Sequence, residues 1–118
     1  IAMLMTAHVV YPALDPDRPA SLSAPIITEL LRRQLGFDGV VVSDDLEMGA
    51  IVRHGSVEQA AVQALVAGTD LLLVCHSPQR AIQARDACLQ ALTAGRLSAR
   101  AQSCGAQDQL QATPVRLC

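Results

Sequence analysis

The sequence contains no lysine, so all nine of its basic residues are arginine, and Schiff-base chemistry and lysine-dependent phosphate binding are absent from this stretch of chain. The arginines do not gather either. Scattered among eleven acidic residues for a net charge of −2, they offer no basic stripe to a nucleic-acid backbone or an anionic bilayer. Nucleic acid and membrane are therefore not expected partners, and no obligate protein partner is evident. No apolar run approaches the roughly 18 residues that cross a bilayer. The apolar start at Ile1 leads to His8 and a proline-rich segment rather than to a signal-peptide cleavage site. Cys75, Cys88, Cys104 and Cys118 are few and irregularly spaced, without the close pairs of a zinc site or a dense secreted framework. They read as reduced thiols of a cytoplasmic protein, with Cys75 buried. An initiator methionine is also lacking, and the chain begins inside what reads as a strand, so a preceding segment is expected.

What is present is a chain of 118 residues, 51% hydrophobic and 17% charged, suited to one globular domain. Ala2 to Val9 reads as a short apolar strand, and Tyr11 to Ser23, with Pro12, Pro16 and Pro19, as a loop. Ser23 is a candidate N-cap for a helix carrying Ile27, Leu30, Leu31 and Leu35 on one face and stopped by Gly36. The valine run that follows Gly39 has the composition of a strand covered on both faces. Asp45 to Met48 lead into a loop with Arg53, His54 and Gly55. Ser56 and Gln59 form a capping-box pattern ahead of an alanine-rich helix that Gly68 ends. Asp70 to Cys75 is the third strand; Ser77 and Pro78 then open a helix that Gly95 closes. Past Gly95 the apolar period fades. Ser98 to Ala101 could start a further helix, and residues 102–118 read as an irregular tail.

Strands alternating with helices imply parallel pairing through right-handed crossovers. The expected class is α/β. In such folds the carboxyl ends of the strands form the functional face, and there the sequence places His8, the Asp44-Asp45 pair and Cys75-His76 on one rim. Successive side chains of a strand point to opposite faces, so the two aspartates should divide two tasks. One projects toward a ligand, and the other caps the following turn by accepting backbone N–H bonds.

The stretch Leu30-Leu31-Arg32-Arg33-Gln34, four intervening residues, Gly39, three valines, Ser43 and Asp44 resembles the nucleophile signature of glycoside hydrolase family 3. Met5-Thr6-Ala7-His8-Val9-Val10-Tyr11-Pro12-Ala13-Leu14-Asp15, Pro19 to Ser23 and Asp70 to Cys75 are similar to its β-N-acetylhexosaminidase branch. The resemblance implies the last three βα units of a (β/α)8 barrel over residues 1–101. It implies retaining hydrolysis of terminal β-linked N-acetylglucosamine from glycans, in the manner of peptidoglycan recycling, without metal or cofactor. By it Asp44 is the nucleophile, and His8 and Met48 line the sugar site. The pattern departs at Glu47, where the general signature favours a small or polar residue. The branch carries its acid/base group on an upstream loop with Gly-His and Asp-Ser-His, which this sequence does not contain, so the isolated chain is expected to be inactive.

Other readings are a metal-dependent barrel hydrolase with His8, Asp44 and His76 as ligands and a receiver-like domain binding Mg²⁺. The first lacks a dense ligand cluster, and the second lacks its lysine. A non-catalytic remnant of the family is the remaining alternative, because fold and function are separable.

Overall fold

Val40–Asp45 forms the strand on which the fold is hung, and the computed structural model describes it within residues 2–97. Naming the strands in chain order, β1 is Met3–Met5, β2 Val10–Tyr11, β3 Asp15–Pro19, β4 Val40–Asp45 and β5 Leu71–Leu73. β1, β4 and β5 form a parallel sheet in that spatial order, with β4 in the centre. Each parallel strand is followed by a helix: Pro25–Gln34 after β1, α2 (Val57–Ala67) after β4 and α3 (Pro78–Thr93) after β5. A one-turn helix, α1, fills Gly49–Val52. The βα order expected from the sequence is therefore present three times. The expected helix start at Ser98 to Ala101 and the tail 102–118 lie outside the described residues.

The helices pack against the sheet through two apolar clusters. Alanines let them come close: Ala60, Ala61 and Ala64 of α2 meet Ala84 and Cys88 of α3, with Leu46, Ile51, Leu72 and Val74 completing the core. A smaller cluster joins Ile27, Val41 and Ala67, with Phe37 against it. Val41 and Val42, on opposite faces of β4, are both buried, as the valine run suggested, whereas Met3, Met5 and the first strand residue Val40 are exposed.

Local signals set the helix ends. Ser56 Oγ accepts the Gln59 N–H while the Gln59 side chain accepts the Ser56 N–H, completing the capping box. Ser77 caps α3 through the Arg80 N–H, with Pro78 in its first turn. Gly68 and Gly95 stop α2 and α3 at φ +110° and +73°, values that disfavour any side chain.

Several expectations are corrected. The segment Tyr11 to Ser23 is not a loop. β2 and β3 pair as an antiparallel ribbon, and Ala20–Leu22 makes a 3₁₀ turn. Prolines 16 and 19 are tolerated because a two-stranded ribbon is all edge, where a missing N–H goes unused. The first strand is shorter than Ala2 to Val9, because after Thr6 the carbonyls of Ala7 and Val9 accept from Ser21 and Ala20 instead of the sheet. The helix Pro25–Gln34 is wound as a π-helix, the Leu35 N–H reaching back to the Leu30 carbonyl. Only Ile27 of its apolar face is fully buried, and Leu35 is exposed. Finally, Cys75 is exposed and Cys88 is the buried thiol, its pKa raised by desolvation. β5 ends at Leu73, which puts Cys75 beyond the covered part of the strand.

At the amino ends of the strands, Arg32 Nη1 donates to the carbonyls of Phe37 and Gly39 at 3.3 and 2.5 Å. Its Nη2 pairs with Asp70 Oδ2, and the same oxygen accepts the Val41 N–H at 2.8 Å. The pair is mostly buried and joins the π-helix, β4 and the start of β5. Removing one partner would strand the other's charge, so Arg32→Ala should cost about 3 kcal/mol. Urea unfolding measures it, and a loss under about 1 kcal/mol would mean that the pair behaves as an exposed one.

Asp15 carries a second, pH-dependent tie. Ser23 Oγ donates to Asp15 Oδ2 at 2.7 Å and the Asp17 N–H donates to Oδ1 at 3.2 Å. These bonds, the serine's foremost, hold the carboxyl below its ordinary pKa. The stabilisation is complete above the ordinary value of 3.8 and is lost as pH falls through the lower folded value. Asp15→Asn should therefore be less stable than the unsubstituted chain at neutral pH, with the gap narrowing below about pH 4. Unfolding midpoints across pH read this directly, and a pH-independent gap would remove the carboxylate's role.

Candidate active site

The carboxyl ends of β1, β4 and β5 converge as the alternation of strands and helices requires. β4 is the central strand, so whatever follows Ser43 has a neighbour on each side. The ladder between β4 and β5 slips by one residue, pairing Val42 with Leu71 and Asp45 with Leu73. An extra residue of this kind re-aims the side chains beside it. The slip falls between Val42 and Asp45, within the stretch that carries the Asp44-Asp45 pair. Hydrogen bonding, rather than parity, distinguishes the two aspartates.

Asp45 is built into the wall. Its Oδ1 accepts the N–H groups of Glu47 at 3.1 Å and Cys75 at 3.2 Å, and its Oδ2 lies 2.8 Å from His76 Nδ1. This is the turn-capping task that sequence alone assigned to one member of the pair. Asp44 is half-buried, and its carboxylate has one partner among the described residues, the Asp45 N–H at 2.8 Å from Oδ1. It is the rim carboxylate with acceptor capacity left over.

His8 is tied at both ring nitrogens, Nδ1 to Ser21 Oγ at 2.5 Å and Nε2 to the Asp45 carbonyl at 2.9 Å. It braces the end of β4 from the β1 side. Met48 is exposed, at the entrance to α1. His76 is also exposed, yet its ring is held against Asp45 and its own N–H donates to Glu47 Oε2 at 2.6 Å. His8, Asp45 and His76 thus come together, and Asp44 adjoins them through the chain.

Sequence reasoning missed the part played by Glu47. Its side chain is 4% exposed and accepts the N–H groups of His76 and Ser77, with Arg80 Nη1 at 3.6 Å. The available signal was the Ser77-Pro78 helix start, which announces N–H groups in need of acceptors.

Asp45, Glu47 and His76 offer ligand atoms within 4.8 Å of one another. Oxygens of both carboxylates are already filled by backbone N–H groups, and the Arg80 guanidinium opposes a cation at Glu47. The metal set considered from sequence, His8, Asp44 and His76, is not assembled: His76 pairs with Asp45, and both nitrogens of His8 are engaged.

Comparison with known proteins identifies the family of the chain. A β-hexosaminidase of Chromobacterium violaceum is 42% identical over 120 residues, covering 94% of this chain and 32% of that protein. One from Vibrio cholerae is 49% identical over 84 residues, covering 70% of this chain and 25% of that protein. A solved glycoside hydrolase family 3 β-N-acetylglucosaminidase from Paenibacillus sp. str. FPU-7 superposes with a TM-score of 0.81 at 50% identity, covering 84% of this chain and 19% of that one. The chain therefore spans about a third or less of these relatives. The model of the glycosyl hydrolase family 3 N-terminal domain matches residues 1–104, and the chain belongs to that family.

Proposed function

We propose that this chain contributes the nucleophile of a retaining β-N-acetylhexosaminidase that releases terminal β-linked N-acetylglucosamine. The observation that carries the proposal is the contrast at the end of β4. Asp45 and Glu47 are committed to backbone N–H groups, whereas the carboxylate of Asp44 holds a single bond from its neighbour's N–H. In the retaining route such a carboxylate attacks the anomeric carbon as a second group protonates the leaving oxygen, and water then cleaves the glycosyl ester. A carboxylate on a strand end is rigidly placed, which the attack demands. Met48 and His8 fit the wall of the sugar site, Met48 as an exposed apolar surface and His8 as the brace behind Asp45. The names of the relatives, β-hexosaminidase and β-N-acetylglucosaminidase, support this substrate class.

The three βα units are read as the closing part of a (β/α)8 barrel. β1 and β5 are unpaired on their outer edges within the described sheet, and the exposed Met3, Met5 and Val40 suit a face that further strands would cover. A barrel of this type takes about 250 residues, in keeping with the small share of each relative that the chain spans. The acid/base group then comes from sequence that those relatives carry beyond the matched region, and the chain alone is not a turnover catalyst.

Two outcomes follow. In a polypeptide that joins this chain to the rest of the barrel, Asp44→Ala should abolish hydrolysis of an aryl N-acetylglucosaminide, and a fluorinated N-acetylglucosamine analogue should label Asp44 covalently. Labelling at Asp45 or Glu47, read by peptide mass spectrometry, would reassign the nucleophile. The 118-residue chain by itself should elute from size exclusion as associated species and leave the aryl substrate intact. A monomeric, active chain would overturn the barrel assignment.

A further inference from the structure

Glu47 is the acidic residue at which the chain departs from the general family signature, and nothing in the proposed reaction uses it. Its surroundings are nevertheless elaborate. The side chain turns inward until 4% of it is exposed, which is costly for a carboxylate without compensating hydrogen bonds. The compensation comes from one short turn: Oε2 accepts the His76 N–H at 2.6 Å and the Ser77 N–H at 3.1 Å. Asp45 Oδ1 accepts the N–H of the preceding residue, Cys75. Three consecutive N–H groups after β5 are thus held by two carboxylates from the end of β4. With its backbone fixed in this way, His76 sets Nδ1 2.8 Å from Asp45 Oδ2. Asp45, braced on both oxygens, presents its own N–H to Asp44 Oδ1 at 2.8 Å.

We propose that Glu47 is a positioning residue for the attacking carboxylate. It fixes the Cys75–Ser77 turn, the turn holds His76 on Asp45, and Asp45 holds Asp44. The proposal rests on the reading of Asp44 as the nucleophile. Loss of the Glu47 carboxylate frees two N–H groups and lets the turn and His76 drift. The orientation of Asp44 then loosens without any contact to the sugar being removed, so the loss should fall on kcat rather than KM.

The test uses the active polypeptide that contains this chain. It compares the rate at which a fluorinated N-acetylglucosamine analogue labels Asp44, together with kcat, KM and amide hydrogen exchange at His76 and Ser77. Glu47→Ala should slow labelling and kcat by about 10- to 100-fold, leave KM within about two-fold, and speed exchange at the two amides. Glu47→Gln keeps an acceptor oxygen and should recover most of the rate. Labelling of Glu47→Ala at the unsubstituted rate would overturn the proposal, as would a rise in KM that accounts for the whole loss. Should Glu47→Ala not fold, Glu47→Ser, with the small polar residue that the general signature favours, is judged by the same rates. Failure to label Asp44 in the unsubstituted protein would remove the nucleophile reading itself, a result distinct from normal labelling in the variant.

Discussion

The carboxylate of Asp45 is the point at which the three strand ends are joined. It collects the N–H groups of Glu47 and Cys75 on one oxygen and the His76 ring on the other, while its backbone carbonyl receives His8 from the β1 side. Parallel strands leave their last N–H and C=O groups without a hairpin to satisfy them. A carboxylate at the central strand's end answers that need with fixed geometry. Because Asp45 takes this structural work, its neighbour Asp44 is spared it. Two adjacent, chemically identical side chains thereby acquire different hydrogen-bonding surroundings, and a one-residue slip in the ladder accompanies the division.

The opposite end of the sheet uses the same device with the charges balanced. Asp70 accepts from the Val41 N–H and from Arg32, and Arg32 extends to the carbonyls of Phe37 and Gly39 with its guanidinium 5.6 Å from the Phe37 ring. One side chain thus satisfies carbonyls in the turn before β4 while its partner fixes the register of β5. Between these polar ends the sheet and helices meet through aliphatic residues and alanines, and the strand ends are left to polar groups.

Features set by a few neighbouring residues were legible in the sequence. The Ser56-Gln59 box, the Ser77-Pro78 start, the Gly68 and Gly95 stops and the three βα units depend on local backbone chemistry, and the structure has them where the residues imply. Features decided by distant partners were not. The β2–β3 ribbon depends on Val10 meeting Pro19 and on the Asp15 bond to Ser23, neither of which a proline count reveals. The exposure of Cys75 follows from β5 ending two residues earlier. The short helix at Gly49–Val52 is held by Met48 carbonyl bonds and by the burial of Ile51, and it replaces the first part of an expected loop. Glu47 illustrates the same limit at the rim: its spacing from Asp44 is visible in sequence, but its partners lie 29 and 30 residues away.

Those separations have a kinetic consequence. The bonds that tie the end of β4 to the neighbouring strands join residues far apart in the chain: 37 residues from His8 to Asp45, and 30 from Asp45 to Cys75. Each is the closure of a long crossover, whose entropic cost must be met before the contact returns anything. During folding, Asp44, Asp45 and Glu47 are therefore hydrated, mutually repelling charges until both crossovers have docked their helices. By sequence separation alone this corner is expected to take shape after the alanine-faced helices, whose contacts are nearer in the chain.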